Sequence, residues 1–289
     1  MKEAGFIAAL RTLATDPAAR DLLDDAAVLE ICGESLVLTH DMLVEGVHVL
    51  PGQDAADIAW KLVAVNLSDL AAKGAEPLGV LLGHTLGSDD ARFVEGLREV
   101  LACYQVPLLG GDTVASPGAR SWSLTAIGRA SHRPVPARSG ARPGDEVFVT
   151  GPLGAAMLGF EALRDGTGGD SKAYRRPKPR LAEGRKLAPL VTAMMDISDG
   201  LLLDAWRMAL ASNVTFALHG ASVPVADAAR RDECLRWGDD YELLFTAPAG
   251  LSLPVPVHHI GEVVAPGGTP LTLDGHSPDD ATRLGYLHG

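Results

Sequence analysis

Residues 55–74 read AADIAWKLVAVNLSDLAAKG. Ile58, Leu62, Val65 and Ala72 recur at three- and four-residue steps, which predicts a helix over residues 55–73 with one apolar face, closed by Gly74. Asn66, Ser68 and Asp69 are embedded in that same apolar stretch. A carboxylate in such a setting needs a partner, and for one isolated aspartate a backbone cap or a nearby Arg is the commoner one. Asp69 is not isolated. Aspartates flanked by small or apolar residues recur in Asp24-Asp25-Ala26-Ala27, Thr39-His40-Asp41, Gly110-Gly111-Asp112-Thr113 and Asp196-Ile197-Ser198-Asp199-Gly200. Taken singly, these are weak signals. The Gly-Gly-Asp-Thr segment follows Leu108-Leu109 like a strand ending in a turn where glycine lets the backbone approach a ligand. The segment from Asp196 to Gly200 precedes Leu201, so its Ser or Asp could simply cap a helix. Together they point elsewhere, because buried carboxylates repel one another unless divalent cations neutralise them. Mg²⁺ shared with phosphate oxygens is the usual means.

Around this helix, residues 35–39 and 44–50 read as strands, 91–104 as a helix and 120–130 as a strand, while residues 1–20 read as an amphipathic helix rather than a signal peptide. Pro134 and Pro136 then interrupt the chain before a new pattern begins at Arg138, which predicts domains of residues 1–134 and 135–289. In the second half, residues 146–150 and 241–247 read as strands, and 154–164, 181–190 and 201–212 as helices. Both halves are therefore expected to be α/β. Residues 175–180, Arg-Arg-Pro-Lys-Pro-Arg, form the one dense basic run, readable either as a solvated loop or as a phosphate-facing one.

The 289 residues are 47% hydrophobic and 21% charged, a globular composition, and no apolar run approaches the ~18 residues of a membrane span. With 25 basic against 37 acidic residues the net charge is −12, which disfavours nucleic acid as a partner. Cys32, Cys103 and Cys234 are odd in number and lie in no CxxC pair, an arrangement that fits a reducing cytoplasm better than a disulfide framework or a zinc site. GxxxxGK[ST], GxGxxG after a strand, HExxH and GxSxG are all absent from the sequence.

The aspartate segments, with VEGVH at residues 44–48, KLVAVNLSDLAAKG at 61–74, RSGARPGD at 138–145 and DYEL at 240–243, resemble the thiamine-monophosphate kinases from about Asp24 onward. Those enzymes share a superfamily with aminoimidazole ribonucleotide synthetase, selenophosphate synthetase and a hydrogenase maturation protein. The resemblance implies the two-domain aminoimidazole ribonucleotide synthetase-like α/β (α+β) fold, its N-terminal sheets paired across a homodimer. It also implies ATP as co-substrate, several Mg²⁺ ions, and transfer of the γ-phosphoryl group to thiamine monophosphate without a covalent intermediate. By the same resemblance Asp25, Thr39, Asp41, Asp69, Asp112, Asp196 and Asp199 fall on metal-ligand positions. Tyr104, Gly111, Asp112, Arg138 and Ser198 fall on ATP positions, and His48, Asp239 and Tyr286 are matched to the substrate side.

The chain departs from the family pattern at named places. Leu23-Asp24-Asp25 replaces Gly-Asp-Asp, His40 stands where a threonine helps to coordinate metal, and Asp239 stands where a glutamate contacts substrate. Tyr286 is the remaining candidate for the aromatic that closes over thiamine. Two other readings stay open on sequence alone. One is another ATP-dependent member of the superfamily, although the reactive Cys that marks two of those members has no counterpart here. The other is a nucleotide-binding regulator without turnover, with His40 and Asp239 as its supporting features.

Overall fold

The computed structural model describes residues 3–278 and 281–287. After helix α1 (Glu3–Arg11), the first sheet is built from β1 (Ala27–Ile31), β2 (Glu34–Val44), β3 (Ala75–Thr85), β4 (Leu108–Val114) and β5 (Ser121–Ala130), in the order β1-β2-β5-β3-β4. Only β3 and β4 run parallel. Helices α2 (Ala55–Ala72) and α3 (Asp90–Tyr104) belong to this half and pack on each other. They do so closely enough that a Cβ on Gly96 would lie 2.3 Å from the backbone of Ala56.

The second sheet takes β6 (Asp145–Val149), β7 (Ala193–Asp196), β8 (Thr215–Leu218), β9 (Leu243–Pro248), β10 (His258–Val264) and β11 (Leu271–Leu273), in the order β11-β8-β10-β6-β9-β7. Helices α4 (Ala155–Arg164), α5 (Lys172–Arg175), α6 (Leu181–Leu187), α7 (Leu201–Ser212) and α8 (Arg231–Arg236) accompany it. Leu202, Met208, Phe216, Leu244 and Ile260 form its main core.

Helix α2 joins the halves. It buries 16 of its 18 residues, so it has no solvent face, in contrast to the one-sided helix expected from its spacing. Ile58, Leu62, Leu67 and Leu70 pack with Val37, Trp122 and Leu124 of the first sheet. Ala71 and Ala72 pack with Leu187, Met194 and Phe245 of the second half. Truncating a fully buried residue such as Leu70 to Ala should cost about 2–5 kcal/mol.

Several expectations are corrected. Residues 44–50 are not a strand: β2 ends at Val44, and the chain turns with Val47 N and His48 N both donating to Val44 O. Residues 1–20 are not one helix, because α1 stops at Arg11 and Asp16 caps a separate 3₁₀ segment, Pro17–Leu22; Met1 and Lys2 lie outside the described residues. Gly110 and Gly111 are not a turn after a strand but lie inside β4. A Cβ on Gly111 would meet Leu82 O at 1.9 Å, so glycine there serves the approach of β4 to β3. Among the described residues, no helix is long and apolar enough to cross a membrane.

Candidate functional site

Helix α2 delivers Asn66, Ser68 and Asp69 from its middle turns toward the start of the first sheet and the end of β7. Each of these polar side chains has a defined task. Asn66 Oδ1 accepts from the backbone N of Asp41 at 3.0 Å, while its Nδ2 donates to Leu62 O at 2.9 Å. Ser68 Oγ donates to Asp196 Oδ2 at 2.6 Å, and Thr39 Oγ1 donates to Asp69 Oδ2. Asp25, Asp69 and Asp196 thereby each bring a carboxylate oxygen to within 4.8 Å of the others.

The cluster is electrostatically strained. Burial pushes Asp41 up to about 6, with Asp25 and Asp199 adding repulsion. Burial likewise pushes Asp196 up to about 8, with Asp25 adding to it, and holds Asp69 well above the carboxylate range, with Asp41, Asp196 and Asp25 adding to it. The neighbouring carboxylates are treated differently. Asp25 Oδ1 accepts from Arg138 Nε at 2.7 Å, and its Oδ2 lies 2.7 Å from Lys73 Nζ. Asp24 is paired with Lys73 and Arg20; burial acts to raise it, but these two cations outweigh burial and hold it below the usual range. For Lys73, burial disfavours the ammonium, yet Asp24 and Asp25 prevail and raise it.

These aspartates line a cavity of about 550 Å³, together with Arg138, Ser198, Asp199, His48, Asp239 and Tyr286. Thr39 belongs to the group through its bond to Asp69. At another part of the cavity wall, Phe160 meets Trp237 at 5.1 Å and Tyr174 at 5.3 Å between ring centroids. Lys61 reaches this region from α2, eight residues or roughly 12 Å of helix before Asp69. Its buried ammonium donates to Asp239 Oδ2 at 2.7 Å and to His48 O at 3.2 Å, and stands 4.1 Å from the Tyr174 ring centre. Tyr174 OH also donates to His48 O, at 3.1 Å, and Tyr241 OH donates to Asp239 Oδ1 at 2.9 Å. Asp239 and Tyr241 both hold positive φ, 59° and 52°, beside Gly238 at 91°. Such backbone persists only where its surroundings impose it. Here Asp239 N donates to Ser198 O at 2.8 Å and Tyr241 N to Ile197 O at 2.9 Å.

Three of the expected site residues stand apart from the rest within one chain. Gly111 and Asp112 are exposed on the edge strand β4, and β5 and β3 lie between it and β2, which carries Asp41. Tyr104 ends α3, its ring 6.0 Å from that of Trp60. His40 bonds Thr125 Oγ1 at 2.8 Å and is not on the wall of the main cavity. The basic run faces neither solvent alone nor the cavity. Arg175 and Arg176 clamp buried Asp57, Arg176 also pairs with Glu99 at 2.9 Å, and Arg180 Nε donates to Glu242 at 2.8 Å. Lys61, Lys73, Phe160, Tyr174, Trp237 and Tyr241 were not identified from the sequence. The two lysines were legible in principle, as charges inside the same apolar stretch as Asp69, whereas the aromatics come together only through the fold.

The N-terminal domain of AIR synthase related proteins matches residues 23–130, and their C-terminal domain matches residues 142–273. The thiamine-monophosphate kinase of Caulobacter vibrioides is 37% identical over 95% of this chain and 86% of its own length. The crystal structure of the thiamine-monophosphate kinase of Stenotrophomonas maltophilia K279a is 36% identical, with TM-score 0.77 over 95% of this chain and 96% of that one. A structure of AaThiL complexed with AMPPCP and TMP is 29% identical, with TM-score 0.90 over 100% of this chain and 97% of that one.

Proposed function

The chain belongs to the thiamine-monophosphate kinase family, and from that premise we propose that it transfers the γ-phosphoryl group of ATP to the phosphate of thiamine monophosphate, giving thiamine diphosphate. The observation that carries this reading is the convergence of Asp25, Asp69 and Asp196 in one cavity with an Arg and an aromatic wall. Phosphoryl transfer between two phosphates asks for alignment and charge neutralisation and little else, so no nucleophilic side chain is required.

The donor set fits Mg²⁺. It consists of hard carboxylate oxygens, with no soft ligand among them, held together against their own repulsion. Asp25, Asp69 and Asp196 would hold the ion, with Asp41, Thr39 and Asp199 beside them. Bound there, Mg²⁺ supplies the positive charge that lets phosphates approach carboxylates and one another. Arg138, fixed on Asp25, and Ser198 face the same space and serve to orient the nucleotide phosphates. Phe160, Tyr174 and Trp237 give the flat rings of thiamine an apolar wall, and His48, Asp239 and Tyr286 complete the acceptor side.

Tyr104, Gly111 and Asp112 enter this reading through a second copy of the chain. Leu108, Leu109 and Val114 on β4, Leu78 and Leu81 on β3 and Met42 on β2 are exposed apolar residues of the first sheet, which suits pairing across a two-fold axis. The free cysteines fit a cytoplasmic setting. ADP release measured with thiamine monophosphate, with thiamine and with neither acceptor tests the proposal. Release that depends on thiamine monophosphate supports it, whereas nucleotide binding without release under any condition would show a regulator.

A further inference from the structure

Lys73 is fully buried, immediately after the last turn of α2. Its ammonium donates to Asp24 Oδ1 and to Met194 O at 3.3 Å, and it stands in ion-pair contact, at 2.7 Å, with Asp25 Oδ2. Its setting divides the acidic cluster in two. Asp24 and Asp25 are matched by three of the chain's own cations, Lys73, Arg20 and Arg138. Among the described residues, no Lys or Arg lies within ion-pair distance of Asp41, Asp69 or Asp196. Their side-chain hydrogen-bond partners among the described residues are only the hydroxyls of Thr39 on Asp69 and Ser68 on Asp196. Asp24 thus has its countercharge inside the fold, Asp41, Asp69 and Asp196 are left for cations from solution, and Asp25 stands between the two, paired with Lys73 and Arg138 yet within 4.8 Å of Asp69 and Asp196.

We infer that Lys73 is a resident cation of the carboxylate site: its ammonium holds the side of Asp25 that a divalent ion would otherwise share, and so limits how many divalent ions the cluster takes and how tightly. The inference rests on Asp25 being a metal ligand, as proposed above. Removing the ammonium leaves Asp24 and Asp25 buried with less countercharge, a condition that destabilises the metal-free protein and that a divalent ion can relieve.

The test uses the full-length chain and its Lys73→Met variant, which keeps most of the side-chain volume. Mn²⁺ binding is followed by electron paramagnetic resonance without nucleotide, alongside thermal melts in EDTA and in Mg²⁺. The variant should bind Mn²⁺ at least about tenfold more tightly than wild type, or take up one more ion, an effect within the usual range for one coupled charge. It should melt lower than wild type in EDTA and recover most of that loss in Mg²⁺. Asp25→Asn is the control that separates the two readings. If Asp25→Asn weakens Mn²⁺ binding while Lys73→Met leaves affinity and stoichiometry unchanged, the resident-cation inference is overturned and the metal site stands. If Asp25→Asn changes nothing, the metal reading of Asp25 fails and the inference fails with it. A Lys73→Met protein that stays unfolded even in saturating Mg²⁺ also overturns it, because the ammonium would then do something a metal cannot replace.

Discussion

Asp69 accepts a hydrogen bond from Thr39 and faces Asp25 and Asp196, in the middle of a helix with almost no exposed surface. A structural aspartate in that position would stabilise the fold, whereas a metal ligand would strain it until the ion arrives. Asp69→Asn keeps the volume and the acceptor for Thr39 while removing the charge. Turnover should fall by about 10²-fold or more, as when one preorganised electrostatic group is lost. The metal-free protein should melt at the same temperature or higher, since carboxylate crowding is relieved. A lower melting temperature with near-normal specific activity would mark Asp69 as structural. The same strain sets a pH dependence. Asp41 and Asp196 titrate at about 6 and about 8 in the fold, above the ordinary 3.8, so the folded chain holds more protons than the unfolded one between those values. Their contribution to metal-free stability is therefore fullest at or below about pH 4 and declines as pH rises, the Asp41 part being gone by about 6 and the Asp196 part by about 8. Melts in EDTA between pH 5.5 and 8.5 should show that decline, and saturating Mg²⁺ should flatten it; a metal-free melting temperature that rises over this range would contradict it.

Helix α2 spans the site, with Asp69 among the carboxylates and Lys61 beside Asp239 and Tyr174. Lys61 binds the carbonyl of His48 from the first half and the carboxylate of Asp239 from the second, so one buried ammonium fixes both. Lys61→Met should raise KM for thiamine monophosphate by about tenfold or more and leave KM for ATP within a few-fold. Lys61→Arg should recover part of the loss. Equal damage to both substrates would mean that Lys61 only holds the helix in place. Much of this element was legible in the sequence: its length, its capping glycine and the anomaly of polar residues among Leu, Val and Ala. Other elements were disguised. Strand β3 carries Pro77, Gly79 and Gly83, residue types that strands avoid, so the sequence offers no reading of it, and its register shifts between Pro77 and Gly79. β4 hides its strand character behind Gly110 and Gly111, the second of which allows the backbone approach to β3. The aromatic wall draws Phe160, Tyr174 and Trp237 from distant segments, and no local pattern connects them.

At the scale of the whole molecule, the aspartates recognised in sequence split into two sets. Asp25, Asp41, Asp69, Asp196 and Asp199 meet in one cavity, while Asp112 lies across the first sheet on an exposed edge. Spacing along a sequence carries no information about which copy of a chain supplies a residue, so this division became visible only with the fold. A dimer that joins the two sets should sediment at twice the chain mass at micromolar concentration, and Leu81→Glu together with Leu109→Glu on the exposed apolar face should produce monomers with at least about 10²-fold less activity. Monomeric wild-type protein with full activity would contradict the shared site. The central claim is the transfer itself, and isotope tracing tests it most directly. With ATP labelled at the γ-phosphate, Mg²⁺ and thiamine monophosphate, the label should appear in the terminal phosphate of thiamine diphosphate in step with ADP. Label that appears only as inorganic phosphate, or stays in ATP while the nucleotide remains bound, would contradict it.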